Sequence, residues 1–323
     1  DWLALVGRDS EPCYGVSHPL RIQDSYNSKL KLSRFGETGT LFAVYYFLEQ
    51  HCGMRWFMPG ALGEVVPVQR SISVPQISVT REPDFEYRNM YFNDFPTDHD
   101  GARWFRRAGF GGPAISINHS FSRIKSKYRE TNPEFFAIYQ GERDYELTCM
   151  GRGNLCLSEP GLIQAWVRDI REFFDQQPQQ LIYPVMPNDG YRTSCECERC
   201  AAFVREQEER SGSRPQAISN YVWNFVNQIA LEVYKTHPDR LIGCCAYSQY
   251  INPPDNLEKL SPNVAVMVCK TRRNYWDQEY QAKINQFLDG WRTKARQLYI
   301  WEYYMWVGYE PILKGLPVFF PYI

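Results

Sequence analysis

The sequence has almost no net charge and no long apolar run. Its 36 Lys and Arg residues balance 37 Asp and Glu residues, which leaves a formal net charge of -1. A chain without a basic excess lacks the surface that attracts nucleic acid or an anionic membrane. No run of about 18 apolar residues occurs, which argues against a membrane-spanning helix. The composition therefore favours a protein that binds an uncharged ligand and no nucleic acid.

Several well-defined catalytic motifs are also missing. The sequence contains no H-E-x-x-H pair, no G-x-S-x-G turn and no glycine-rich phosphate loop after an apolar run. These absences argue against a zinc protease, a serine hydrolase of the common α/β type and a nucleotide-binding enzyme. Internal repeats and low-complexity tracts are absent as well. Any chemistry must therefore come from dispersed residues that the fold brings together.

Aromatic residues, by contrast, are abundant. The chain has 9 Trp, 22 Tyr and 19 Phe, and many of them stand next to polar or charged residues. Aromatic rings in a polar setting are typical of sites that stack sugars, although any single ring can equally belong to a large core. The aromatic content favours a carbohydrate ligand.

The length of 323 residues predicts two domains. Residues 1–80 are expected to form a small α/β domain, because an apolar run at 3–6 precedes a helical pattern that begins at Thr40. Alternating segments at 71–74 and 76–79 predict two strands, and 81–84 is a linker. Residues 85–323 form the second domain.

The second domain alternates short apolar runs with helical patterns, which indicates β/α units around a parallel sheet. We expect a (β/α)8-type barrel, with an open doubly wound sheet as the alternative. Only six strands are found, so the barrel is expected to be incomplete at its C-terminus and the natural protein to continue. The candidate strands are 87–93, 114–117, 181–186, 241–247, 264–269 and 298–303. Helical stripes begin at Leu162, Ile218 and Tyr280.

Polar residues that follow the strands are the candidate site, because barrel active sites lie at the C-terminal ends of the strands. Glycosidic cleavage commonly uses two carboxylates about 5 to 10 Å apart, and Asp189 and Glu302 are the predicted pair. Asn188 suits orientation of an N-acetyl group that itself acts as nucleophile. The alternative for residues 188–190 is an ordinary turn. The predicted substrate-binding residues are Asn93, His119, Asn188, Tyr247, Trp301, Tyr303 and Tyr304.

Three of the ten cysteines are clustered. Cys195, Cys197 and Cys200 form C-x-C-x-x-C, which fits either metal binding or a disulfide in an exported protein. Three thiolates do not complete a structural zinc site, so a fourth ligand would have to come from elsewhere in the chain.

Several motifs resemble one bacterial family in their order along the chain. They are N-H-S-F at Asn118, N-P-E-F-F-A-I at Asn132, N-L-C-L-S-E-P at Asn154, P-N-D-G at Pro187, C-E-C-E-R-C at Cys195 and W-E-Y-Y at Trp301. These motifs are similar to those of glycoside hydrolase family 163, a DUF4838-like family. The segment from Gly39 to Gly60 resembles the small domain before the barrel in β-hexosaminidases and α-glucuronidases.

This resemblance implies an endo-β-N-acetylglucosaminidase that cuts the chitobiose core of N-glycans on glycoproteins. It implies a retaining mechanism, with assistance from the substrate's N-acetyl group as one route, and export to the periplasm, cell surface or medium. The chain itself opens without a signal peptide, and upstream residues are expected. Catalysis is expected to need no cofactor, and structural zinc is one use of the cysteines.

A third use of the cysteines is a metal-dependent protein, although a loop staple close to Asp189 is the more economical interpretation. Two other functions remain open on the sequence. One is a noncatalytic glycan-binding protein on the same scaffold. The other is an exo-acting α-glucuronidase-like enzyme, which would need a basic residue for the uronate, such as Arg272 or Arg273 after the fifth strand.

Overall fold

The computed structural model describes residues 3–10, 26, 27, 30, 32, 33, 35–89, 99–145, 154–191, 193–270, 274 and 276–302. The chain divides into two compact units, and within the described residues the division falls between Ile115 and Ser116. The domain boundary at residues 80 to 85 stays a prediction. None of the helices in the described ranges is both long and apolar enough to cross a bilayer.

The first unit holds short elements around one principal helix. The helix predicted from Thr40 is confirmed as α1, and Tyr45 packs edge-on against the buried Trp56, with the ring centroids 5.4 Å apart. The Trp104 indole donates to the Trp56 carbonyl at 3.0 Å. The elements are β1 (Tyr26–Asn27), β2 (Leu32–Ser33), α1 (Gly39–His51), β3 (Arg55–Trp56), β4 (Glu64–Val65) and α2 (His99–Arg107).

The two strands predicted at 71–74 and 76–79 are wrong. These residues form no ladder within the described chain. Ile72, Ile77 and Val79 are between 41% and 53% exposed, so their alternation with polar residues does not reflect a buried face. A period of two predicts a strand only where a neighbouring strand supplies hydrogen bonds and cover.

A parallel sheet of four strands forms the centre of the second unit, in the order β10-β9-β8-β7. The α/β class and the parallel sheet are thus confirmed. A complete eight-stranded barrel is not seen in the described part of the chain. The four strands match four of the six predictions: β7 (Ile182–Pro184), β8 (Leu241–Ala246), β9 (Val264–Cys269) and β10 (Gln297–Trp301).

The two remaining predicted strands, at 114–117 and 87–93, are not found as ladder strands in the described residues. Residues 114–117 form no ladder strand. The segment after them nevertheless runs beside the end of β7, because the Ser120 amide donates to the Met186 carbonyl at 3.0 Å and the Met186 amide donates to Ser120 Oγ at 2.9 Å. Of residues 87–93, Arg88 makes only an isolated bridge with Gly111, and 90–93 lie outside the described residues.

The three helical stripes are confirmed as α4, α6 and α7. Helix α6 is the most deeply buried, with Val222, Phe225 and Ile229 fully covered. Its first turn is capped by Ser213, whose hydroxyl accepts from the Gln216 amide at 3.4 Å. The remaining elements of this unit are α3 (Ser122–Tyr128), β5 (Ile138–Tyr139), β6 (Glu142–Arg143), α4 (Pro160–Gln176), α5 (Glu198–Ser211), α6 (Arg214–Tyr234) and α7 (Gln278–Lys294).

The parallel sheet has two distinct faces. On one face Gly243 leaves space for neighbours, since a Cβ there would lie 2.7 Å from Ile117 Cγ1 and 2.9 Å from Ile182 Cδ1. On the other face the Tyr183 ring packs edge-on against Trp166 of α4, with the centroids 6.1 Å apart. We call these the inner face and the helix face. Side chains alternate between them along each strand.

Candidate functional site

Three of the predicted site residues meet at the C-terminal edge of the sheet. His119 Nδ1 lies 2.5 Å from the Pro187 carbonyl oxygen. Because that oxygen can only accept, Nδ1 carries the hydrogen in this bond. The Tyr247 hydroxyl donates to Asp189 Oδ1 at 3.2 Å, and the rings of His119 and Tyr247 meet edge-on at 6.0 Å. Three separate segments thus deliver an imidazole, a phenol and a carboxylate to one place.

The turn predicted as the alternative for residues 188–190 is present, and it positions the carboxylate. Gly190 has φ of 77°, and its amide donates to Asp189 Oδ1 at 2.9 Å. The Tyr191 amide donates to the Asn188 carbonyl at 3.3 Å and closes the turn. Asn188 is 1% exposed, whereas Asp189 is partly open to solvent. A turn and a functional carboxylate are therefore compatible in this segment.

Tyr247 lies on the inner face with its hydroxyl at the strand end. It follows Gly243 by four residues in extended backbone, so the alternation places both on one face. Partial burial raises the pKa of the Tyr247 hydroxyl, and the charge of the neighbouring Asp189 raises that pKa further. A tyrosine with a raised pKa stays protonated at neutral pH and remains a hydrogen-bond donor.

Trp301 belongs to the same layer of the sheet as Tyr247. Trp301 is paired with Cys269, and Ala246 is paired with Val268. If the register of β8 and β9 is extended by one residue beyond this pair, Tyr247 lies opposite Cys269. Tyr247 and Trp301 therefore occupy the same position along the sheet. Because residues paired in neighbouring strands point to the same face, Trp301 also lies on the inner face.

Glu302 follows directly after the last paired residue of β10 and is partly buried. Strand β10 is three strands from β7, which is a distance of about 14 Å along the sheet. The structure thus places Glu302 at the same edge as Asp189 but brings only Asp189 into contact with Tyr247. The predicted residues Asn93, Tyr303 and Tyr304, and the alternative Arg272 and Arg273, lie outside the described residues.

The clustered cysteines gain a fourth member, Cys156. The sulfur atoms of Cys156, Cys195, Cys197 and Cys200 all lie within 4.8 Å of one another, and all four are free thiols. Cys156 Sγ is 3.6 Å from both Cys197 Sγ and Cys200 Sγ. We call this group the four-cysteine cluster. The cluster could bind a metal ion, which supports the prediction that Cys195, Cys197 and Cys200 are metal ligands without identifying the metal.

Backbone and side-chain donors surround the four-cysteine cluster. The Ile138 amide donates to Cys195 Sγ at 3.2 Å, and the Tyr221 hydroxyl donates to Cys200 Sγ at 2.9 Å. Hydrogen bonds among the thiols, with a smaller contribution from Tyr221, lower the pKa of Cys200, and the same thiol–thiol hydrogen bonds raise the pKa of Cys156. Donors aimed at sulfur favour the thiolate, which is the form that binds metals.

Sequence reasoning missed Cys156, Ile138 and Tyr221 as members of this environment. Cys156 stands 41 residues before Cys197, inside the motif N-L-C-L-S-E-P, and no spacing rule joins it to the later cysteines. Its one sequence signal is a lone cysteine four residues before the start of α4.

A surface groove of about 880 Å³ lies between α4 and α6. Its lining includes Gln164, Arg171, Gln228 and Leu231, and it contains none of the predicted site residues. It belongs to the helix side of the sheet, whereas α/β proteins carry their sites at the strand ends.

The fold and the strand-end residues define an α/β protein with a parallel sheet and a polar, partly aromatic candidate site at its C-terminal edge. The model of one family, described as Domain of unknown function (DUF4838), matches residues 58–318, and the chain belongs to that family. No curated protein and no solved structure matches the chain.

Proposed function

We propose that the protein is a glycoside hydrolase that cleaves β-linked N-acetylglucosamine, acting inside the chitobiose core of N-glycans. One observation carries the proposal: Asp189 is held by Tyr247 and by its own turn at the C-terminal edge of a parallel sheet, with His119 beside it. Strand-end carboxylates beside hydrogen-bond donors and rings are the parts that a sugar site requires.

Asp189 is proposed to orient the substrate's N-acetyl group, while the buried Asn188 holds the turn that carries Asp189. In a retaining reaction of this kind the acetamide carbonyl oxygen attacks the anomeric carbon, and the bond to the leaving sugar oxygen breaks. Asp189 accepts the acetamide N–H and thereby raises the nucleophilicity of the carbonyl oxygen. Water then opens the cyclic intermediate and retains the configuration of the sugar.

Glu302 is proposed as the acid that protonates the leaving oxygen and afterwards as the base that activates water. It follows β10 as Asp189 follows β7, so both side chains start from the same edge of the sheet. The separation of about 14 Å applies to a flat sheet. Catalysis by this pair therefore requires that the sheet curve, as in a barrel, and that Glu302 turn toward the inner face beyond the end of β10, so that the two carboxylates come within the range of about 5 to 10 Å that glycosidases use.

Rings around the carboxylate are proposed to bind the sugar faces. Trp301 and Tyr247 share one layer of the inner face, and His119 packs against Tyr247. Apolar sugar faces stack on such rings while the hydroxyl groups reach polar side chains. In this proposal hydrolysis needs no cofactor, the four-cysteine cluster is structural, and the protein acts outside the cytoplasm on glycoproteins.

The test is incubation of the purified protein with a biantennary N-glycoprotein, with mass spectrometry of the released glycans and of the remaining protein. We expect release that leaves one N-acetylglucosamine on each asparagine. The Glu302→Gln variant should lose this release, since an amide cannot donate the proton. Cleavage of a terminal uronate instead would favour the exo-acting alternative, and glycan binding without release would favour a binding protein.

Replacing Tyr247 by Phe tests whether its hydroxyl positions Asp189. Loss of one hydrogen bond to a charged, partly exposed group should lower kcat about tenfold. KM should change little, because the ring and its contact with His119 remain. Tyr234→Phe is the matched control, since Tyr234 is half-buried at the end of α6, just before the opposite edge of the sheet. A rise in KM at unchanged kcat would mean that Tyr247 only binds substrate.

A further inference from the structure

We propose that the four-cysteine cluster holds one zinc ion as four thiolates, and that this ion fixes the segment between β7 and α5. That segment runs from Val185 to Cys197 and carries Asn188 and Asp189. The zinc site rests on the cysteine geometry alone and is independent of the proposed hydrolase activity.

The sulfur positions match a tetrahedral zinc ion. Four sulfurs that each lie about 2.3 Å from zinc are about 3.8 Å from one another. Cys156 Sγ lies 3.6 Å from Cys197 Sγ and from Cys200 Sγ, and the whole group lies within 4.8 Å. A disulfide requires about 2.05 Å between the sulfurs. The spacing therefore fits thiolates around a single ion.

The donor set selects the class of metal. Four thiolates are soft ligands, which favour zinc over magnesium or calcium. All four positions of a tetrahedral ion are filled by protein, so no position is left for a catalytic water, and the site is of the structural type.

The surroundings stabilise the negative charge of such a centre. A zinc ion with four thiolates carries a net charge of about -2, which is costly to bury without donors. Three groups donate to the sulfurs: the Ile138 amide at 3.2 Å, the Cys197 amide at 3.4 Å, and the Tyr221 hydroxyl at 2.9 Å. Donors of this kind orient the ligands and raise metal affinity.

The ion would join segments that are distant in the sequence. Cys156 precedes α4, Cys197 caps the start of α5, and Cys200 lies in its first turn. A backbone hydrogen bond connects the cysteine segment to β5 as well, because the Glu196 amide donates to the Ile138 carbonyl at 2.9 Å. The start of the loop is held by His119 at Pro187, and the ion holds its end.

Metal analysis of the purified protein is the first test. We expect about one zinc per chain and, under denaturing conditions with a chelator, alkylation of Cys156, Cys195, Cys197 and Cys200 as free thiols. Protein produced with cobalt should show the charge-transfer and d–d absorption bands of a tetrahedral cobalt thiolate. A folded protein without metal, one with iron in place of zinc, or one with disulfides among these four cysteines would overturn the zinc assignment.

Substitutions locate the ion. Cys197→Ser should lose most of the zinc, whereas Cys52→Ser, which changes a partly exposed thiol of the first unit, should keep it.

If Cys197→Ser does not fold, Tyr221→Phe still tests the site, and about tenfold weaker zinc affinity is expected in a competition with a chelator. Tyr250→Phe removes an equally buried hydroxyl outside the cluster and should leave the affinity unchanged. Equal zinc affinity in the two tyrosine variants would contradict the assignment.

The role of the ion in holding the loop is tested by hydrogen exchange. Removal of zinc should accelerate exchange in peptides that cover residues 187–191, while peptides from β9 should keep their protection. Unchanged exchange at 187–191 in zinc-free, folded protein would overturn the loop role. Because exchange and metal content are measured without substrate, this result does not depend on whether glycan release is observed.

Discussion

Asp189→Asn is expected to reduce kcat/KM for glycan release about 10²- to 10³-fold, the range for loss of one group that stabilises charge in the transition state. This corresponds to about 3 to 4 kcal/mol of transition-state stabilisation. The amide oxygen can still accept from Tyr247 and Gly190, so the turn should persist. What is lost is the charge that accepts the acetamide proton, and KM should therefore change little. Initial rates on a chitobiose-core glycopeptide measure the effect.

Two comparisons make this prediction specific. Asp289→Asn changes a carboxylate on α7 that is 63% exposed and pairs with Arg292, so activity should be unchanged. Thermal unfolding of both variants should follow the parent. An Asp189→Asn protein that is folded and fully active would remove Asp189 from the mechanism and leave Glu302 without its partner.

Trp223→Ala is expected to destabilise the second unit by about 3 to 5 kcal/mol, as large cavities in a core do. Trp223 is fully buried in α6, and its ring meets Trp291 of α7 edge-on at 4.8 Å. Its indole N–H also donates to the Tyr250 carbonyl at 2.9 Å. The truncation removes the ring contact and leaves that carbonyl without this donor. Urea denaturation followed by circular dichroism measures the change in the free energy of unfolding.

Trp276→Ala is the matched control for the tryptophan substitution. Trp276 is 73% exposed, so its loss should change the free energy of unfolding by less than about 0.5 kcal/mol. Equal effects of the two substitutions would mean that the α6–α7 contact does not stabilise the unit.

Four strands and three long helices could be predicted because each repeats its pattern several times. In β9 and β8 the apolar run is as long as the strand, and in α6 the apolar stripe spans about four turns. The strands predicted at 71–74 and 76–79 were wrong because four-residue alternation carries too little information. The strand predicted at 114–117 was wrong for another reason. The segment that follows it is hydrogen-bonded next to the end of β7 through Ser120, and it does not form a ladder with that strand.

The candidate site was predictable in part by a simple rule. Residues that follow parallel strands meet at one edge, and this rule found His119, Asn188, Asp189 and Tyr247. It could not give the contact between Tyr247 and Asp189, which depends on the turn at Gly190. The same rule selected Asn93, Tyr303 and Tyr304, which lie outside the described residues, so their roles stay predictions.

The sequence by itself determined the α/β class, the four strands of the parallel sheet, the helices α4, α6 and α7, and the triplet Cys195, Cys197 and Cys200. Those properties depend on neighbours in the chain, where periodicity and spacing are visible. The tertiary structure decided that Cys156 completes the four-cysteine cluster and that Tyr247 donates to Asp189. Such contacts join residues dozens of positions apart, and only the packing of the sheet and its loops sets the distance between them.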